Sequence, residues 1–195
     1  SLDMVLVGEP DLTIRDLLDN FDNKIEERPA NIQKIFDDHD PQYTPSVDEE
    51  GNVNMFNIKG IAWRDKDEVR VNFTRPFIPN LDDMPHPLHH LLPMQDYRMP
   101  LIKGPFTFIV TSRGCPAGCT YCIKHVSYQF STRLRSPENI MEELWILKRQ
   151  GMNNIHMYAD LFTVNRDQVM GLCELMIKEK INIKSIGFSI LQSSI

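Results

Sequence analysis

The chain has 195 residues, 42% of them hydrophobic, enough to bury a sizeable core and to exclude a disordered type. Its formal net charge of −6 gives a nucleic-acid partner no electrostatic support on average. No apolar run approaches the roughly 20 residues needed to cross a bilayer, and no N-terminal signal pattern is visible.

In chain order, residues 3–7 (DMVLV) form a short apolar run, and Gly8-Glu9-Pro10 reads as a turn. Ile14, Leu17, Leu18, Phe21 and Ile25 then repeat at helical spacing, with Asp11 or Thr13 available as cap. Pro29 begins a second helical pattern through Ile32, Ile35 and Phe36. It ends in Asp37-Asp38-His39-Asp40, an acidic run expected to be a solvated helix end. Residues 45–54 are polar and loop-like. Residues 58–63 and 68–73 read as a β-hairpin joined by Arg64-Asp65-Lys66-Asp67, with Val69, Val71 and Phe73 alternating on one face. Residues 75–100 carry many prolines and little periodicity, so they read as an ordered linker. Within it, Pro85-His86-Pro87-Leu88-His89-His90 invites a metal hypothesis, but adjacent histidines in an extended segment point to opposite sides, which favours packing or exposure over ligation.

Residues 106–112 (FTFIVTS) are β-branched and aromatic and read as a buried strand. Ser136-Pro137-Glu138 is a helix start: a hydroxyl cap, proline at the first helical position and an acid near the positive end. Ile140, Leu144 and Leu147 form its apolar stripe, and Gly151 stops it. Residues 152–158 supply a second strand. Asn165-x-x-Gln168 is a capping pattern for a helix whose apolar face is Val169, Leu172, Cys173 and Met176, so Cys173 reads as a small core residue. Residues 181–188 offer a third strand. Strand, helix, strand, helix, strand is the start of a parallel barrel.

The chemistry centres on Cys115-Pro-Ala-Gly-Cys119-Thr-Tyr-Cys122, where three of the four cysteines fall in a C-x3-C-x2-C spacing. They sit on the loop that leaves a strand's C-terminal end, where α/β folds place their chemistry. Gathering three thiolates costs charge repulsion, which a soft, highly charged metal centre removes. Three ligands suit an iron–sulfur cubane with one iron left open better than a structural zinc, which wants four. His125, or less readily Cys173, would supply a fourth ligand for zinc in a zinc-stapled binding module. Disulfide pairing would leave one of the three cysteines over. Clustered unpaired cysteines point to a reducing cytoplasm.

The cysteine motif after a strand, with Tyr121 before its last cysteine, resembles the signature of the radical S-adenosylmethionine (SAM) enzymes. In that family the three cysteines hold a 4Fe–4S cluster whose open iron is chelated by SAM, and reductive cleavage yields a 5′-deoxyadenosyl radical. Residues 112–170 are similar to the cobalamin-dependent branch. Within that branch SRGCPAGCTYCIKHVSYQFSTRLRSPENI and NIHMYADLFTVNRDQVM look most like the anaerobic magnesium-protoporphyrin IX monomethyl ester oxidative cyclases.

The resemblance implies that Cys115, Cys119 and Cys122 are the cluster ligands, that the main chain of Tyr121 faces the adenine, and that Asp160 meets the amino group of SAM. Lys124, His125, Tyr128, Arg133 and Arg135 form a basic, aromatic loop that could meet carboxylates or simply balance the acidic surface. The implied fold class is α/β: a truncated radical SAM (βα) barrel, preceded by the tail of a Rossmann-like cobalamin-binding domain and a linker with a β-hairpin. The implied domains are residues 1–28, the remnant of the cobalamin-binding domain; 29–100, the linker; and 101–195, the N-terminal part of the barrel.

The implied reaction is oxidative cyclisation of a tetrapyrrole ester in chlorophyll synthesis, with a cobalamin-dependent methyltransferase as the alternative. The implied partners are a small-molecule substrate and a reductant such as flavodoxin or ferredoxin; cobalamin would need the upstream domain. Both ends of the chain read as cut, and residues 189–195 depart from the family pattern.

Overall fold

The computed structural model describes residues 3–21, 28–43, 53–123 and 131–188. They fall into two compact units, Ser1–Pro79 and Asn80–Ile195.

In the first unit β1 (Met4–Leu6) is followed by α1 (Pro10–Phe21) and α2 (Ala30–His39). The expected hairpin forms from β2 (Ile61–Asp65) and β3 (Glu68–Val71). Its turn is Lys66-Asp67, and Lys66 takes φ 56°, the left-handed conformation that primed hairpin turns require. β1 adds to the hairpin as an antiparallel strand, Met4 opposite Trp63, giving the order β1-β2-β3. Val69, Val71 and Phe73 do share an alternating face, and that face is exposed.

α1 also departs from its pattern. Ile14, Leu18 and Phe21, read as the core stripe, are exposed, whereas Thr13, Asp16, Asp19 and Asn20 are buried; Ile25 lies outside the described residues. The cause is a buried ionic network. Arg75 donates from Nη2 to Asp16 at 2.7 Å, from Nη1 to Asp40 at 2.8 Å and from Nε to the Thr13 hydroxyl at 3.2 Å. Arg28 Nε donates to Asp19 at 2.6 Å, and Lys59 Nζ to Asp40 at 2.6 Å. The Arg28 guanidinium lies 4.0 Å from the centre of the Phe36 ring. Asp16, Asp19 and Asp40 thus meet Arg28, Lys59 and Arg75, and opposite charges offset what burial costs each of them. The acidic run that ends α2 is solvated only in part: Asp37 and Asp38 are exposed, but Asp40 is buried and paired.

Burial, aided by the hydrogen bond that Tyr43 donates to Asp16 at 2.7 Å, pushes the Tyr43 phenol up to about 12. Burial works against the Arg28 charge, but its bonds to Tyr43 and Asp19 outweigh this and hold its pKa above the ordinary value.

The second unit is the βαβαβ array expected from the sequence. β4 (Phe106–Val110), β7 (Asn154–Tyr158) and β8 (Ser185–Phe188) form a parallel sheet in the order β4-β7-β8, with Phe106 opposite Asn154 and Asn154 opposite Ser185. α3 (Pro137–Arg149) and α4 (Arg166–Lys178) are the crossovers. The Ser136 hydroxyl accepts from Asn139 N at 3.1 Å, capping α3, and Gly151 at φ 82° follows its end. Ile140, Leu144 and Leu147 of α3 pack with Leu172 of α4 on the sheet face that carries Ile109, Ile155 and Met157. Cys173 is exposed rather than core: Leu172 holds the centre of the buried face, and the next residue around the helix turns away from it.

In the second unit, His89 is buried against Glu143 (Nε2 to Oε1 2.8 Å) while His90 is exposed, the packing outcome expected for adjacent histidines. No helix among the described residues is long and apolar enough to cross a membrane.

Candidate functional site

The expected single strand over residues 106–112 ends at Val110, where the chain leaves the parallel sheet. Thr111 N donates to Tyr158 O at 3.0 Å, and β5 (Ser112–Arg113) then pairs antiparallel with β6 (Arg133–Leu134), Ser112 opposite Leu134. The cysteine loop therefore leaves and returns through a two-stranded neck at the C-terminal end of β4. Arg135 N donates to Thr111 O at 3.0 Å, extending the neck by one bond. On the far side Gly114, at φ 84°, precedes Cys115. A Cβ there would stand 2.1 Å from Ser131 O, so no side chain fits.

Cys115, Cys119 and Cys122 are free thiols and partly buried. Cys122 N donates to Cys119 O at 3.1 Å, a tight turn that leaves the Tyr121 side chain 84% exposed. As a donor set the three fit an iron–sulfur cluster: soft sulfur ligands, none spent in a disulfide, on one loop at a strand's tip. Among the described residues no group of three His, Cys, Asp or Glu side chains could hold a metal ion. Cys173 stays exposed on α4, and Lys124, His125 and Tyr128 lie outside the described residues, as do residues 189–195.

Asp160, just past β7, does lie beside the loop: its Oδ2 accepts from Gly114 N at 2.9 Å. Arg135 is committed to the scaffold. It donates to Val110 O at 2.8 Å and to Asn139 Oδ1 at 2.6 Å, and it pairs with buried Glu143. The sheet face that α3 and α4 leave uncovered carries Phe108, His156 and Tyr158. Phe108 and Tyr158 are exposed, with ring centres 6.1 Å apart.

Sequence reasoning missed Gln168 as a site residue. Its backbone amide makes the predicted cap with Asn165 Oδ1 at 2.8 Å, but its side chain leaves the helix and bonds the neck of the loop. The only sequence signal was a glutamine at the third helical position, which the capping pattern had already accounted for.

The second unit, with its cysteine loop at the tip of a parallel strand, has the α/β fold of the radical SAM enzymes. Residues 109–193 match the model of the Radical SAM superfamily, a family whose cofactors are SAM and a 4Fe–4S cluster.

An uncharacterized methyltransferase of Pyrococcus horikoshii is 35% identical over 124 residues, which are 63% of this chain and 26% of the relative. The anaerobic magnesium-protoporphyrin IX monomethyl ester cyclase of Synechocystis sp. is 26% identical over 140 residues, 71% of this chain and 27% of the relative. The cobalamin-dependent SAM radical enzyme OxsB superposes with a TM-score of 0.60 at 22% identity over 96% of this chain and 22% of that one. The chain thus spans about a quarter of the length of the relatives it matches.

Proposed function

We propose that the chain is part of a cobalamin-dependent radical SAM methyltransferase in which Cys115, Cys119 and Cys122 hold the 4Fe–4S cluster. The observation that carries this reading is the placement of three free thiols on the loop leaving β4, inside the segment that matches the superfamily. When bound, such a cluster supplies the electron that cleaves the sulfonium of SAM. The chain's own part is to hold that loop at the tip of the sheet, to present the backbone at Tyr121 to the adenine, and to turn the Phe108–Tyr158 face toward the bound molecules. Residues 1–28 are on this reading the end of a cobalamin-binding domain, and residues 29–100 the connector into the barrel. The substrate is a small molecule, the reductant is of the flavodoxin or ferredoxin type, and the setting is a reducing cytoplasm.

Methyl transfer is favoured over oxidative cyclisation because the relative named as a methyltransferase is 35% identical and the cyclase 26%. Cyclisation of a magnesium-porphyrin ester remains the second reading on the strength of that similarity.

Anaerobic reconstitution of the chain tests the cluster and should load about four irons with labile sulfide. Stoichiometric zinc in place of iron would reject it. For the reaction, the full-length enzyme should be given SAM bearing a deuterated methyl group. Label in the product supports methyl transfer, and an oxidised, unlabelled product supports cyclisation.

A further inference from the structure

Two side chains from the segment that follows β7 hold the cysteine loop by its backbone. Asp160 Oδ2 accepts from Gly114 N, immediately before Cys115. Gln168 Nε2 donates to Thr111 O at 3.1 Å and to Arg135 O at 2.7 Å, the two residues that flank the neck. Gln168 is buried, and its carboxamide could have closed the capping box by returning to Asn165; it bridges the two chains of the neck instead.

Each contact answers a local need. Thr111 O already accepts from Arg135 N, and the second proton donor uses its other lone pair in a site closed to water. Gly114 sits in a left-handed turn against Ser131 O, and a bond from its amide to a carboxylate is the charge-assisted kind. A long loop gains little order from its own short turns, so the precision of its tip depends on how firmly its ends are held.

We propose that Asp160 and Gln168 are positioning residues that clamp the neck of the cysteine loop, so that Cys115, Cys119 and Cys122 can close on the cluster. The task of Asp160 is then to hold the Gly114 amide, not to meet the ammonium of SAM. This rests on the cluster reading above.

The test uses the whole chain and four variants. Asp160→Asn keeps an acceptor oxygen without the charge, and Asp160→Ala removes the acceptor. Gln168→Glu keeps the shape but turns a carboxylate on two carbonyl oxygens, and Gln168→Ala removes the bridge. Amide hydrogen exchange on the metal-free chain reads the clamp directly. Gly114 should exchange about tenfold faster in Asp160→Ala, the scale of one lost hydrogen bond, and at near the parent rate in Asp160→Asn. Arg135 should exchange faster in both Gln168 variants.

After anaerobic reconstitution, Asp160→Ala and Gln168→Glu should bind less than half the parent's iron, while Asp160→Asn keeps the parent's iron and the change that SAM causes in the spectrum of the reduced cluster. Asp160→Asn that loads iron normally but loses the response to SAM would overturn the proposal in favour of an ammonium contact. Unchanged exchange in every variant would overturn the clamp itself. A parent chain with protected amides that takes up no iron would overturn the cluster reading, and with it the purpose assigned to the clamp.

Discussion

Arg75 Nη2 and Asp16 Oδ2 are 59 positions apart in sequence and 2.7 Å apart in space, with side chains only 3% and 1% exposed. That pair, with Asp40 on the other arm of the same guanidinium, explains why α1 turns its polar side inward. A salt bridge buried this deeply is costly to break from one side, because the partner left behind is a buried charge without compensation.

Replacing Arg75 with Met should therefore destabilise the first unit by about 3–5 kcal/mol, since Asp16 and Asp40 each lose a buried guanidinium bond, leaving Asp40 with Lys59 and Asp16 with Tyr43 and the more distant Arg28. A urea titration followed by Trp63 fluorescence should show a lower midpoint. An unchanged midpoint would mean that water reaches the site and screens it. Trp63 reports on this unit because it lies in β2 and donates to Asn72 at 3.2 Å.

Tyr43 should make the same unit sensitive to alkali. Its phenol is raised in the folded state from 10.0 to about 12, so the stability it contributes is complete below pH 10 and is lost as the pH climbs through about 12. Phenolate absorbance should show one tyrosine ionising late. The denaturation midpoint should fall across that window, and less steeply in Tyr43→Phe. A tyrosine spectrum that titrates entirely near 10.0 would contradict the buried hydrogen bond to Asp16.

Gly114→Ala should damage the loop without damaging the sheet. The added carbon would meet Ser131 O at 2.1 Å, and the φ of 84° is disfavoured for any L side chain. Iron uptake should drop several-fold, while the core around Leu144 and Ile155 keeps its cooperative melt, because neither Gly114 nor Ser131 belongs to that core. Equal uptake by the variant would show that the neck can shift to admit a methyl group.

The four cysteines should divide three to one. Serine at Cys115, Cys119 or Cys122 should each abolish stable cluster loading, since a hydroxyl is a poor substitute for a soft thiolate. Serine at exposed Cys173 should leave iron content unchanged. In the reconstituted chain, alkylation should mark Cys173 alone. Protection of Cys173 with one of the loop cysteines exposed would point to a different ligand set.

What the sequence by itself determined is whatever short-range chemistry decides. The Ser136-Pro137 start of α3, the stop at Gly151, the hairpin turn at Lys66 and the order of strands and helices in the second unit all depend on residues a few positions apart, and all were readable. The three cysteines were readable for the same reason, as donors on one loop. Only the tertiary structure decided that Ile14, Leu18 and Phe21 face outward, that Asp40 is buried, and that Gln168 serves a loop rather than its own helix. Each of those outcomes hangs on a long-range partner: Arg75 lies 62 positions from Thr13 and 35 from Asp40, and Thr111 lies 57 from Gln168. Helical periodicity says which residues share a face. Whether that face goes inward depends on whether buried ions find counterions, and that is known only once distant parts of the chain have come together.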